Sequence, residues 1–172
     1  MDESDALCIG VVTIATDRSL ESDAAGEAIR ETMEGDGHEV ATREHVVAEH
    51  DRVQSIVLRM IERDDVEVVL TAGATSIEPD DVTIEAVEPL LDKTLPTFSE
   101  LFTTLAAREI GTEIVAMRTF AGVAEGTVIC CLPGNAETTR LAAESILRPE
   151  ANRLVDLAQP AESDDGSEDD DE

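Results

Sequence analysis

The chain has no tryptophan and no tyrosine, and Lys93 is its one lysine. Its aromatics are Phe98, Phe102 and Phe120 alone. Proteins that bind single-stranded nucleic acid combine stacking aromatics with a basic groove, and this sequence supplies neither. Against 12 basic residues stand 40 acidic ones, a formal net charge of −28 that repels DNA, RNA and anionic membranes. No apolar run approaches the ~20 residues that span a bilayer. The opening MDESDA has neither a basic n-region nor an apolar h-region, so it does not read as a signal peptide. Cysteine is scarce and odd in number: Cys8, Cys130 and Cys131, all inside apolar runs. No CxxC or Cys/His spacing points to zinc. Adjacent cysteines on a strand face opposite ways, which disfavours a bond between Cys130 and Cys131. Reduced, buried thiols fit a cytoplasmic protein.

What is present is acid, spread over every segment. A local patch would signal a basic partner, whereas an even spread reads as adaptation to a salt-rich cytoplasm, where screening suppresses self-repulsion. The length of 172 residues fits one domain. The composition divides it into a disordered acidic N-terminus (1–6), an α/β domain (7–158) and a disordered tail (159–172) of mainly Ser, Gly and acid, unable to bury apolar surface.

Leu7 to Ile14 is a near-continuous apolar run, the pattern of a strand buried on both faces of a parallel sheet. A polar loop, Thr16 to Ser19, leads to a helix capped by Ser22 or Asp23 and running to about Glu34, with Ala25, Ile29 and Met33 at helical spacing. His38 to Val47 is a more polar strand placed nearer an edge. Glu49 to Arg63 is a second amphipathic helix, and Val66 to Thr71 the third strand. A helix is expected from Asp80 or Asp81 to Leu91, a connector over Lys93 to Pro96, and a helix over Phe98 to Arg108. Glu113 to Val123 fits either strand or helix. Val128 to Leu132 is a clear strand stopped by Pro133-Gly134. Helices follow over Glu137 to Leu147 and Pro149 to Leu157, the latter with Pro149 in its first turn. The β-α-β-α-β order implies right-handed crossovers and a three-layer α/β/α domain around a mostly parallel sheet.

The stretch Val66 to Thr83 carries the chemistry. A buried strand feeds the loop Thr71 to Ser76, small and hydroxyl-rich, and then carboxylates at Asp80 and Asp81. A strand, a small-residue loop and a helix start present backbone N–H groups to an anion. The loop is not a Walker A motif, lacking its Lys-Ser/Thr end, and has one glycine where a dinucleotide fingerprint has three. The plain alternative is a tight strand-to-helix turn with capping aspartates. Glu49, His50 and Asp51 form a second acidic group at the end of the second strand. Two acidic groups flanking an anion loop favour metal-assisted phosphoryl or nucleotidyl chemistry. Pro133, Gly134 and Asn135 close the same edge of the sheet. His38 and His45 read as surface residues.

Several segments together resemble the MoaB/Mog family of molybdenum cofactor biosynthesis proteins: TAGATSIEPDDVT at Thr71 to Thr83, PTFSELF at Pro96 to Phe102, EIGT at Glu109 to Thr112, RTFAGV at Arg118 to Val123 and LPGN at Leu132 to Asn135. The resemblance runs from Cys8 to about Leu157. It implies MgATP-dependent adenylylation of molybdopterin by a homotrimer or a hexamer of paired trimers, with other cofactor-biosynthesis proteins as candidate partners. It places the catalytic, Mg²⁺-binding carboxylates on Asp81 and Glu49. It places substrate contacts on Thr71, Gly73, Ala74, Thr75 and Ser76, with Ser99 and Glu100 on the pterin side and Pro133 and Gly134 opposite. The family's loop reads TTGGTG, so Ala72 replaces threonine while Ala74 and Ser76 replace glycines. Asp80 stands for arginine, Thr97 and Ser99 for glycines, and Ala48 for proline. A serine at 76 is strained if that position needs φ > 0. These changes gather at the binding edge, so the alternative is a non-catalytic or altered-specificity paralogue acting in pterin binding or assembly.

Overall fold

Cys8–Ile14 (β1) is buried almost throughout, and the sheet extends from it on both sides. The computed structural model describes residues 5–15 and 23–160. The Thr16 to Ser19 loop, Ser22, residues 1–4 and the tail from residue 161 lie outside the described residues. The remaining strands are β2 (Glu39–Val46), β3 (Val68–Ala72), β4 (Lys93–Thr94), β5 (Phe120–Ala124) and β6 (Thr127–Leu132). Their spatial order is β2-β1-β3-β6-β5-β4, which puts the polar β2 at an edge. β2, β1, β3 and β6 run parallel; β5 pairs antiparallel with β6 and β4 antiparallel with β5, so β5 alone runs against the rest.

Alternation along the central strands divides the interior into two cores. Val68 and Leu70 of β3, with Cys130 of β6, face α1 (Ala24–Gly35), α4 (Pro96–Ile110) and the last helices. Val69, Ile129 and Cys131 face α2 (His50–Ile61) and α3 (Thr83–Val87). Cys130 and Cys131 therefore point to opposite sides of the sheet, and all three cysteines are free. Helices cover both faces, so the domain is a three-layer α/β/α sandwich.

Three expected elements need correction and one open stretch is resolved; His38, read as a surface residue, is instead buried and accepts the Leu7 N–H through Nδ1 at 3.0 Å. The helix expected from Asp80 or Asp81 begins only at Thr83, lasts five residues and tightens into a 3₁₀ turn over Glu88–Leu90 at Pro89. The residues before it are held as a turn around Pro79, with the Asp81 N–H on the Glu78 carbonyl at 2.9 Å. The Lys93 to Pro96 connector contains β4, which pairs with Gly122 and Val123. The ambiguous stretch splits into a 3₁₀ segment, Gly111–Ala116, and β5. β5 joins β6 through Glu125 and Gly126, both at positive φ (50° and 81°), the two-residue turn that fits hairpin twist. Finally, α5 (Ala136–Ala142) and α6 (Arg148–Ala158) are one continuous rod joined by a π segment, Ala143–Leu147. Pro149 has no N–H to give and crowds the carbonyl one turn back, and a π segment before it absorbs both defects.

Candidate functional site

Because β1, β3 and β6 are parallel, their carboxyl ends emerge on one edge of the sheet, the edge at which open α/β sheets hold ligands. There a cavity of about 570 Å³ opens between Ile14 and Ala15 after β1, Ala48 after β2, Gly73 to Ser76 after β3, and Pro133 to Asn135 after β6. Two of these loops touch. The Gly73 N–H donates to the Leu132 carbonyl at 3.0 Å. A Cβ at Gly73 would lie 2.2 Å from the Ile14 carbonyl oxygen, and its φ of +105° is open to glycine alone. A Cβ at Gly134 would come within 3.3 Å of the Gly73 Cα. Asn135 then caps α5 by accepting the Thr138 N–H at 3.1 Å.

The loop after β3 is held from behind by two residues, Thr83 and Arg118. Thr83 donates its hydroxyl to the Gly73 carbonyl (2.9 Å) and its N–H to the Ala74 carbonyl (3.0 Å). Arg118 donates Nε to the Thr75 carbonyl (2.7 Å) and Nη2 to the Ser76 carbonyl (2.9 Å). Four successive carbonyls are thus engaged. In a trans peptide the following N–H points opposite to the carbonyl, so the N–H groups of Ala74, Thr75 and Ser76 turn the other way. That of Ser76 meets the Asp81 carboxylate at 2.8 Å, and the Ser76 hydroxyl adds a second bond to the same oxygen at 2.5 Å. Those of Ala74 and Thr75 have no acceptor among the described residues, and both residues line the cavity. Successive N–H groups left free beside a cavity are the arrangement from which an anion cradle can be built. The positive φ falls on Ala74, at +54°, and not on Ser76.

Glu78, Asp80 and Asp81 bring three carboxylates to the cavity wall, and among the described residues no basic side chain lines it. Gly73, Ala74, Thr75, Ser76, Asp81, Pro133 and Gly134 converge there as expected from sequence. Four other candidates lie elsewhere. Thr71 is wholly buried inside β3, beside its register partner Cys131 of β6. Glu49 precedes α2 with its side chain 63 % exposed and paired to Arg52 at 2.9 Å. Ser99 donates to the Thr119 carbonyl at 2.7 Å, tying α4 to β5. Glu100 is exposed on α4. Among the described residues no three His, Cys, Asp or Glu side chains cluster to hold a metal.

Arg118 was not among the expected site residues. It also pairs with Glu85 of α3 at 2.6 Å, and the guanidinium holds that carboxyl below its usual range. Its signal in the sequence was its place in RTFAGV, in a chain where cations are few.

Residues 8–153 match the model of the family described as a probable molybdopterin binding domain. The chain belongs to this family. This molybdopterin-binding domain is 37 % identical over 146 residues to molybdenum cofactor biosynthesis protein B of Bacillus cereus, covering 84 % of this chain and 86 % of that one. It is 33 % identical over 148 residues to the protein of the same name from Staphylococcus aureus strain COL, covering 84 % and 88 %. A crystal structure of molybdenum cofactor biosynthesis protein B superposes with a TM-score of 0.86 at 34 % identity, over 89 % of this chain and 96 % of that one. The domain therefore has the MoaB/Mog fold, a mostly parallel six-stranded sheet with helices on both faces.

Proposed function

We propose that this molybdopterin-binding domain acts in molybdenum cofactor biosynthesis by MgATP-dependent adenylylation of molybdopterin. The observation that carries the reading is the cradle at Ala74 and Thr75, whose N–H groups border the cavity while the carbonyls are held behind it. An acceptor oxygen of the pterin bonds to the α-phosphorus of ATP, and the bond from that phosphorus to the β-phosphate oxygen breaks, releasing pyrophosphate. The cradle takes up phosphate charge as the bond is exchanged. Gly134, packed against Gly73, leaves room for a ligand on the opposite wall.

Mg²⁺ fits the residues present. It commonly uses one or two protein carboxylates and completes its shell with phosphates and water. Asp81, through the oxygen not engaged by Ser76, and Asp80 beside it are the carboxylates that would hold it. When bound, it offsets charge on the ATP phosphates. Glu49, exposed and ion-paired, acts at most at the rim. The proposal extends to a cytoplasmic homo-oligomer, trimer or hexamer. Asp81→Ala should lower turnover by about 100-fold, the scale of losing a principal electrostatic contact. Unchanged turnover would remove Asp81 from the mechanism.

A second reading rests on Ala74, whose methyl sits in the cavity wall, and on the Ser76 bonds that occupy one oxygen of Asp81. It is a paralogue that binds the pterin, or serves assembly, without transferring a nucleotidyl group. Pterin binding with no pyrophosphate release would favour it.

A further inference from the structure

We propose that Arg118 is a positioning residue of the loop after β3: it fixes the Thr75–Ser76 peptide, whose N–H holds Asp81, and it lends the loop a positive charge that the side chains of the cavity wall lack. The inference rests on the reading that the cavity takes a phosphate ligand.

Three observations meet on this side chain. One guanidinium holds two consecutive carbonyls, of Thr75 and Ser76, through different nitrogens. Turning the Thr75–Ser76 peptide over would take the Ser76 N–H away from Asp81 and aim a carbonyl oxygen, with its partial negative charge, at that carboxylate. The wall itself carries Glu78, Asp80 and Asp81 without a basic side chain among the described residues. A phosphate would therefore meet three carboxylates, and besides Mg²⁺ the guanidinium of Arg118, behind the loop, is the charge placed to offset them. The third is Glu85, which takes Nη1 at 2.6 Å and Nη2 at 3.4 Å and keeps the fork in one orientation. Arginine suits this place because its planar fork reaches three acceptors from one rigid group, whereas lysine offers a point charge. Arg118 does not line the cavity, although its neighbour Met117 does, so it acts through the loop and not on the ligand.

The test titrates MgATP into the full-length protein in concentrated KCl and compares wild type with Arg118→Gln, Arg118→Lys and Glu85→Gln, with a thermal melt of each. The dissociation constant should rise by about tenfold or more for Arg118→Gln, the scale of a lost charge-assisted hydrogen bond. Arg118→Lys should recover part of the loss by keeping the charge. Glu85→Gln keeps an acceptor for the fork but removes the competing negative charge, so its binding should be as tight as wild type or tighter. A folded Arg118→Gln that binds as wild type overturns the proposal, as does a lysine variant no better than glutamine. Should Arg118→Gln fail to fold, Glu85→Gln decides: weakened binding there shows that the tether to α3 matters and the charge does not. A wild-type protein that binds no MgATP overturns the functional reading itself, and this inference with it.

Discussion

Ala74 occupies left-handed backbone, φ +54°, in a loop where the related pattern has glycine. An L side chain there is disfavoured by about 1–2 kcal/mol, partly offset by the extra freedom glycine would have in the unfolded chain. Ala74→Gly should therefore raise stability by up to about 1 kcal/mol. A denaturant midpoint shifted upward at unchanged m-value would show this, and a downward shift would mean that the methyl's packing outweighs the strain. The same residue shows how far the sequence could be read. The loop was visible because small residues, hydroxyls and a glycine follow a buried strand. Which position carries the unusual φ was not visible, because it depends on where Thr83 and Arg118 pull the carbonyls. Ser76 proved unstrained; its hydroxyl does what glycine cannot and binds Asp81. Arg118 was missed as a site residue for a related reason. It lies 43 residues beyond Thr75 and reaches it from beside β5, so only the folded sheet brings them together.

Among the elements, α1 and β2 are joined by a charged network. Asp23 caps α1 by accepting the Gly26 N–H at 2.9 Å and also accepts the Thr13 hydroxyl. Arg43 of β2 reaches Asp23 at 3.3 Å and Glu27 at 2.8 Å. Bonds from Arg30 and then Arg43 hold the Glu27 carboxyl at a pKa of about 2. A carboxyl lowered by folding contributes stability above its unfolded value, and that contribution is lost as pH falls through the folded one. Glu27→Gln should thus narrow the stability difference between pH 5 and pH 2 in an acid-unfolding series. An unchanged difference would show that the pair is fully screened at the surface. Elements with a strong period were legible: β1, β3, β6, α1 and α2 lie within a few residues of where the apolar pattern put them. The misread ones are those whose state is set by partners. β4 is two residues long and exists only because β5 lies beside it. The π segment before Pro149 resolves a conflict between a continuous helical stripe and a residue without an N–H.

At the scale of the whole molecule, a net charge of −28 acts on a domain with two apolar cores. Exposed ion pairs contribute about 0–1 kcal/mol each and weaken with salt, whereas self-repulsion among an excess of carboxylates weakens too, which stabilises. With acids outnumbering bases by 40 to 12, repulsion dominates. The melting temperature should rise as KCl is raised from about 0.1 M to 1 M, over which the screening length falls from about 10 Å to about 3 Å. A flat or falling curve would contradict this balance. No helix among the described residues is long and apolar enough to cross a membrane. The fold follows from the alternation that splits β1, β3 and β6 between two cores, and the site from the parallel ends of those strands.

The most direct test of the account is turnover by the purified full-length protein, in concentrated KCl, with MgATP and molybdopterin. Product is scored as adenylylated pterin and pyrophosphate against a no-enzyme control. The account predicts both products in equal amounts, with formation dependent on Mg²⁺. No product from a protein shown to be folded would contradict it and favour the binding or assembly reading.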